Sequence, residues 1–398
     1  MPEAVIVATA RSPIGRAFKG SLTTMRPDDL TAQMVNAVLA KVPQLDRNEV
    51  EDLMLGTGEP AGEQGFNAAR VVAILAGMPD VPGTTVNRYC SSSLQTIRMA
   101  AHAIKAGEGD VFIAAGVECV SRYSGGGDHR NSVFGSAMAR SEARSAAGSA
   151  DWTPPEGLPD IYIAMGQTAE NVRQLEGVTR LEMDEFGALS QQRAVANVAN
   201  GFFEREIVPV TLPDGTVVSK DDGPRDGTTV EKLAQLKPVF RPDGEITAGN
   251  ACPLNDGAAA VVVMSDTRAT ELGITPIARF VSSAVTGLNP EIMGLGPIEA
   301  CRRAMARAGM TIDDIDLVEI NEAFAAQVLP SAKHLGISLD KLNVQGGAIA
   351  LGHPFGMTGA RIMATLLNGL EHSGGTIGME SMCVGGGQGM AMIVERLS

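Results

Sequence analysis

Two stretches decide the fold: VEDLMLGTG at residues 50–58 and DIDLVEINE at residues 314–322. Each holds a short apolar run of the kind that forms a strand in a sheet covered on both faces. The first precedes TTVNRYC at 84–90, and the second precedes LNVQGGA at 342–348 at a similar remove. Each half then closes alike, with NDGAAAVVVMS from Asn255 and GGGQGMAMIVE from Gly385. Laid over each other, these segments read as an internal duplication of one α/β unit, although α/β chains also resemble one another by texture alone. Two such halves packed together place a site at their junction.

Working outward, strand-like runs at 5–8, 52–55, 111–115 and 259–263 have counterparts at 317–320, 377–379 and 390–394, with helical patterns between them. The alternation predicts an α/β fold. Residues 1–118 and 250–268 make up the first half and 269–398 the second. Residues 119–249 differ in texture and read as an inserted loop domain, either lying over a substrate or simply connecting. This insertion holds a Gly-, Ser- and Arg-rich stretch from Ser124 to Ala150, and the pair Pro154 and Pro155. Two helical stretches follow, the second opening on the capping-box spacing of Thr179 and Glu182 and running to Phe203, then a hairpin turned at Pro213, Asp214 and Gly215.

A chain of 398 residues suggests two or three domains, with cores large enough to need no staples. Its net charge of −14 repels polyphosphate backbones and anionic lipid, which sets aside nucleic acid and membrane as partners. At 44% hydrophobic and 20% charged residues the composition is that of a folded globular chain, and no apolar run reaches the roughly 18 residues of a spanning helix. The opening MPEAVIVATARSP has no secretory pattern and the ending ERLS is not a peroxisomal signal, so the expected location is cytoplasmic. Five cysteines without a C-x-x-C pair argue against a disulfide framework and a zinc site. One thiol is then a candidate for chemistry.

Cys90 is the first such candidate. Leu94, Ile97, Ala101 and Ile104 recur at helical spacing after TTVN, so Cys90 stands where a strand turns into a helix. Unpaired N–H groups and the helix dipole there predict a lowered thiol pKa, while a buried structural cysteine is an equal reading. His353, in the glycine-rich GGAIALGHPFGMTGAR, is placed as a base would be, or lies at the surface. Cys383 adjoins Gly385, Gly386 and Gly387, whose N–H groups can converge on an oxyanion; it could exchange a proton with carbon, or sit in the core. Asn321, where a strand ends in INEAFAAQ, can hold a water or polarise a carbonyl, or cap a helix.

VNRYCSSSLQ, NEAFAAQ, GGAIALGHPFGMTGAR and CVGGGQGMA, with MGQTAENV from Met165 and AGNACPLNDGAAA from Ala248, together resemble the thiolase family over essentially the whole chain. The resemblance implies two similar halves in a five-layered α/β/α/β/α arrangement with an inserted loop domain. It implies that Cys90 carries the acyl group as a thioester, and that His353 activates it and, with a water on Asn321, binds the thioester oxygen of the incoming acyl-CoA. Cys383 would be the acid/base at the α-carbon, and the N–H groups of Cys90 and Gly385 a second oxyanion hole. Arg225 in GPRDGTT would meet the adenine end of coenzyme A, and Cys252, Ala248, Met165 and Ala164 would lie along its arm or the acyl chain. The substrates would be CoA thioesters, with no permanently bound cofactor and no metal. A homodimer or homotetramer is expected, with a beta-oxidation hydratase/dehydrogenase as further partner.

The implied reaction is CoA-dependent thiolysis of 3-ketoacyl-CoA and the reverse Claisen condensation. Two thiols suit it, because one cysteine cannot be acyl carrier and base at once. Three residues depart from the family pattern: Ser93 stands for a glycine, Cys252 for a serine, and Ala164 for the histidine of short-chain biosynthetic members. The last points to broader, degradative chain lengths, with Tyr162, Met165 and Met183 as an adaptable wall; a short-chain biosynthetic acetoacetyl-CoA thiolase is the alternative. A ketoacyl-synthase-like enzyme lacks the second cysteine, and a sterol-carrier-type thiolase has HDCF where this chain has NEAF. An inactive thiolase-like subunit does not need all four residues intact.

Overall fold

The computed structural model describes residues 2–123, 129–148 and 151–398. Ser124 and Ala150, the ends of the Gly-, Ser- and Arg-rich stretch, lie outside the described residues. Nine strands build the main sheet: β1 (Ala4–Arg11), β2 (Asp52–Thr57), β3 (Gly83–Val86), β4 (Val111–Cys119), β5 (Asn255–Ser265), β6 (Ala278–Gly287), β7 (Leu317–Ile320), β8 (Ile377–Val384) and β9 (Gln388–Arg396). Their order is β7-β8-β9-β6-β1-β5-β4-β2-β3, with the two-residue strand Gly15–Arg16 beside β5. Outward from the joint between β6 and β1, the pairings mirror each other. The β6–β9–β8 run is antiparallel and β8–β7 parallel, just as β1–β5–β4 is antiparallel and β4–β2 parallel. Among the described residues, two residue pairs, Val5 with Arg279 and Ile6 with Ala278, join the halves through the sheet.

Alternation along the strands explains how the halves stack. On β4, Ile113, Ala115 and Val117 face a core shared with helix Pro27–Ala40, whereas Phe112 and Ala114 face the other way. That second core also takes Met382 and Met390 from the other half, and helices Ser92–Ala106 and Thr358–Ser373 run through it. A third core packs Val318, Ile320 and Met379 against helices Gly296–Ala308 and Ala325–Leu335. Three helix layers thus alternate with two sheet layers, as the fold class requires.

The same alternation shows that the two opening segments, overlaid start to start, are one residue out. Leu53 and Leu55 face the outer helices, as do Val318 and Ile320, so Met54 corresponds to Glu319. A one-residue slip reverses every side chain, and burial fixes the register. The sequence reading also missed β6, and set most other strands too short.

The insertion holds the hairpin Val210–Thr211 with Val217–Val218, as expected. Its helix Arg180–Ala199 does open on a capping box at Thr179 and Glu182, but it stops before Phe203 because Gly201 turns left-handed at φ 80°. Met183 is fully buried in a core with Phe186 and forms no cavity wall, a correction to the expectation above.

Candidate active site

Strand β3 leads into Asn87 and Arg88, after which Tyr89 takes the unusual φ of 44° and a short turn, Tyr89–Ser91, meets the helix Ser92–Ala106. The Ser92 hydroxyl pins this bend, accepting from the Arg88 N–H at 2.9 Å and donating to the Tyr89 carbonyl at 2.7 Å. Such a bend exposes one side chain at the head of a helix. Here it presents Cys90 to a cavity of about 380 Å³ bounded also by Tyr162, Met165, Phe355 and Gly385.

Burial changes the expected electrostatics. It pushes the Cys90 thiol up to about 12, although hydrogen bonds from the N–H groups of Gly385 and of Cys90 itself favour the thiolate. The lowered pKa expected at the helix start is therefore not found: desolvation outweighs those donors. Ser93, the replaced glycine, is accommodated. Its hydroxyl accepts from the Ala360 N–H at 2.9 Å, and space for its Cβ exists because a side chain at Gly116 would come within 2.4 Å of it.

His353 is fixed on three sides in the loop before helix Thr358–Ser373. Its N–H donates to Asn255 Oδ1 at 3.0 Å, and its Nδ1 lies 2.6 Å from the Thr358 hydroxyl. That hydroxyl donates its one proton to the Pro354 carbonyl at 2.8 Å, so it accepts from Nδ1–H. Burial, with Arg361 as a further cause, drops the imidazole pKa to about 3. The ring is then neutral with a lone pair on Nε2, where the Asn321 amide nitrogen lies at 3.2 Å. Nε2 is thus set to accept a proton. Asn321 Oδ1 is buried with no partner, which suits a water at that oxygen. Asn321 is no helix cap, since the following helix starts at Ala325.

Cys383, near the end of β8, is fully buried; desolvation raises its thiol well above the usual range, and the thiols of Cys90 and Cys252 are close enough to raise it further. Glycine surrounds this end of the strand: Gly385 passes so near the Tyr89 ring that a Cβ there would come within 3.2 Å of it.

A second cavity, of about 290 Å³, is lined by Arg16, Arg225, Phe240, Ala248, Cys252 and neighbouring residues. Arg16 depresses the Arg225 pKa further beyond the effect of burial, and no ion pair joins either arginine to a carboxylate among the described residues. Two unneutralised guanidiniums over apolar walls suit a polyphosphate with a long arm. Ala164 lines neither cavity: it caps helix Met165–Glu176 and borders a separate surface pocket with Met138 and Ser145. Residues that the sequence reading missed are Asn255, Thr358 and Glu118. Glu118 accepts from the N–H groups of Gly58, Glu59 and Gly356, from Gln64 and from the Tyr123 hydroxyl, holding the cavity loops together. A buried acid on a strand otherwise apolar was the available signal.

A thiol beside backbone N–H groups that favour its thiolate, a neutral imidazole whose Nε2 accepts from the Asn321 amide, a second thiol and a cationic cavity define an acyltransferase that works on thioesters. The chain belongs to the thiolase family. Residues 4–267 match the sequence profile of the thiolase N-terminal domain, and residues 274–396 that of the thiolase C-terminal domain. It is 43% identical over 404 residues to a beta-ketoadipyl-CoA thiolase of Acinetobacter baylyi, covering 100% of both chains. It is 42% identical over 408 residues to a 3-ketoacyl-CoA thiolase of Bacillus subtilis, covering 99% of this chain and 100% of that one. The crystal structure of the Bacillus anthracis acetyl-CoA acetyltransferase superposes with a TM-score of 0.88 at 38% identity, over 100% of this chain and 99% of that one. Thiolases cleave 3-ketoacyl thioesters with coenzyme A and catalyse the reverse Claisen condensation, taking CoA thioesters as substrates without a resident cofactor.

Proposed function

We propose that this thiolase works in the degradative direction on 3-ketoacyl-CoA of more than one chain length, releasing acetyl-CoA and a shortened acyl-CoA. The observation that supports this reading most is the cavity of about 380 Å³ at Cys90, which is larger than an acetyl group needs. In the proposed cycle Nε2 of His353 takes the Cys90 proton and the sulfur attacks the ketone carbon. The acetyl-CoA carbanion that leaves is protonated by Cys383, and coenzyme A then releases the acyl group from Cys90. The N–H groups of Cys90 and Gly385 stabilise the oxyanion on the acyl-enzyme, and a water on Asn321, with His353, the thioester oxygen. Arg225, Ala248 and Cys252 hold coenzyme A.

The division into halves 1–118 with 250–268 and 269–398, around the insertion 119–249, belongs to this reading, as do a beta-oxidation role and a cytoplasmic homodimer or homotetramer. Strand β3 supports self-association, being half-buried at the open edge of the sheet, and so does Phe66, fully exposed with φ 52°. Among the described residues no helix is long and apolar enough to cross a membrane. The test compares thiolysis of acetoacetyl-CoA with that of 3-ketohexanoyl- and 3-ketooctanoyl-CoA. We expect kcat/KM for the longer substrates to lie within tenfold of the acetoacetyl value or above it. A fall of tenfold or more favours the short-chain biosynthetic alternative.

A further inference from the structure

The cavity at Cys90 and the cavity at Cys252 differ in charge, and the difference reaches beyond chain length. Arg16 and Arg225 line one. The other has neither lysine nor arginine among its described lining residues, and its formally charged member is Glu59. Glu59 is exposed at the cavity mouth, next to Pro60, and no cation lies within ion-pair distance of it among the described residues. The nearby arginines are engaged elsewhere: Arg26 and Arg122 both bind Glu63, and Arg88 binds Gln95 and Gln388. A second carboxylate, Glu118, lies behind the loop and accepts the Glu59 N–H at 3.2 Å.

The same cavity carries an aromatic surface. Tyr162 stacks on His129 with centroids 4.0 Å apart and an interplanar angle of 2°, and Phe134 meets Tyr162 edge-on at 5.8 Å. Ile161, Ile163 and Met165 line it too, as does Cys90. A polyphosphate is favoured in the arginine cavity and opposed in the Glu59 cavity, which leaves the latter for the acyl chain. There an aliphatic chain meets apolar and aromatic surface, while a chain ending in a carboxylate brings a second negative charge to Glu59 with no lysine or arginine among the described lining residues to bridge them.

We infer that Glu59 is a specificity-determining residue that selects against acyl chains ending in a carboxylate and so commits this enzyme to neutral acyl chains; the inference rests on the thiolase reading above. The experiment measures CoA-dependent thiolysis of 3-ketohexanoyl-CoA and 3-ketoadipyl-CoA, which share a six-carbon backbone and differ in a terminal methyl or carboxylate. Acetoacetyl-CoA is the reference substrate. In the wild-type enzyme the kcat/KM ratio of the neutral to the charged substrate is expected to be at least tenfold, and to shrink as ionic strength rises. Glu59→Gln should lower that ratio at least threefold, and Glu59→Lys should lower it further. A wild-type ratio near one, or a ratio that Glu59→Gln leaves unchanged, overturns the inference while acetoacetyl-CoA is still cleaved. Failure to cleave any of the three thioesters overturns the thiolase reading itself, and the inference with it.

Discussion

The halves of this molecule share their pairing scheme but not their chemistry. In the first half Met54 of β2 sits beside Ala114 of β4, and both face the central helices in an ordinary apolar contact. At the corresponding places in the second half, Glu319 of β7 sits beside Glu380 of β8, facing buried Arg361 on the helix Thr358–Ser373. On the outer face, apolar Val117 corresponds to Cys383: each lies two residues beyond a matching pair, Leu55 with Ala115 in one half and Ile320 with Ser381 in the other. One scaffold, used twice, keeps packing residues in the first copy and places reactive or ionisable ones in the second. The first half contributes mainly Cys90 and the carboxylate strut of Glu118; Asn321, His353 and Cys383 all come from the second.

The largest expected effect tests what the first half does contribute. Cys90→Ser should lower turnover by roughly 10⁴-fold or more. Wild-type enzyme treated with acetyl-CoA alone should gain one acetyl group on the Cys90 peptide, and the variant none. Acetylation at Cys383 instead would exchange the roles of the two thiols, and with them the roles of the halves.

Next in size is a matched pair of substitutions. Cys383→Ala should slow carbon–carbon bond formation by about 10³-fold, the scale of a lost acid/base, while leaving acetylation of Cys90 intact. Val117→Ala, at the corresponding position, should cost about 2 kcal/mol of stability as a buried cavity and leave the ratio of condensation to acetylation where it was. Equal kinetic damage from both would mean that Cys383 acts by packing alone.

These contrasts mark how far the residues could be read in advance. The duplication, the helix after Cys90 and the glycine-lined loops were legible because periodicity and glycine placement are local signals. Strand β6 was not, since Ser282 and Ser283 interrupt its apolar run, and its burial comes from pairing with β9 across the chain. The state of Cys90 was not legible either. A helix start argues for thiolate locally, but the burial that overrides it comes from the tertiary fold, which closes residues distant in sequence around Cys90. Thr358 and Asn255, which fix the His353 ring and backbone, look like a helix residue and a strand residue until the loop between them is in place.

The last contrast tests the Glu319–Glu380 pair against its apolar counterpart. Both carboxyls are buried, neither oxygen of Glu380 has a hydrogen-bond partner, and Arg361 Nη1 is also unpartnered. Desolvation raises the Glu319 pKa to about 8, with Glu322 and Glu206 adding to it and Arg361 opposing; it raises Glu380 as well, and there Glu319 adds to it. A folded-state pKa above the unfolded value of 4.5 means that folding takes up a proton. The stabilisation from protonated Glu319 is complete below pH 4.5 and is lost as pH rises toward about 8. Each proton so taken up tilts stability downward by about 1.4 kcal/mol per pH unit within that window. Glu319→Gln keeps the shape and removes the titration, so urea unfolding of the variant between pH 5 and 8 should show a slope shallower by about one proton. Met54→Leu, at the corresponding site, should shift the whole curve by a constant amount and leave its slope alone. Parallel curves for wild type and Glu319→Gln would mean that the pair is hydrated and ionised in the folded chain, and the difference between the halves would then be one of sequence without electrostatic consequence.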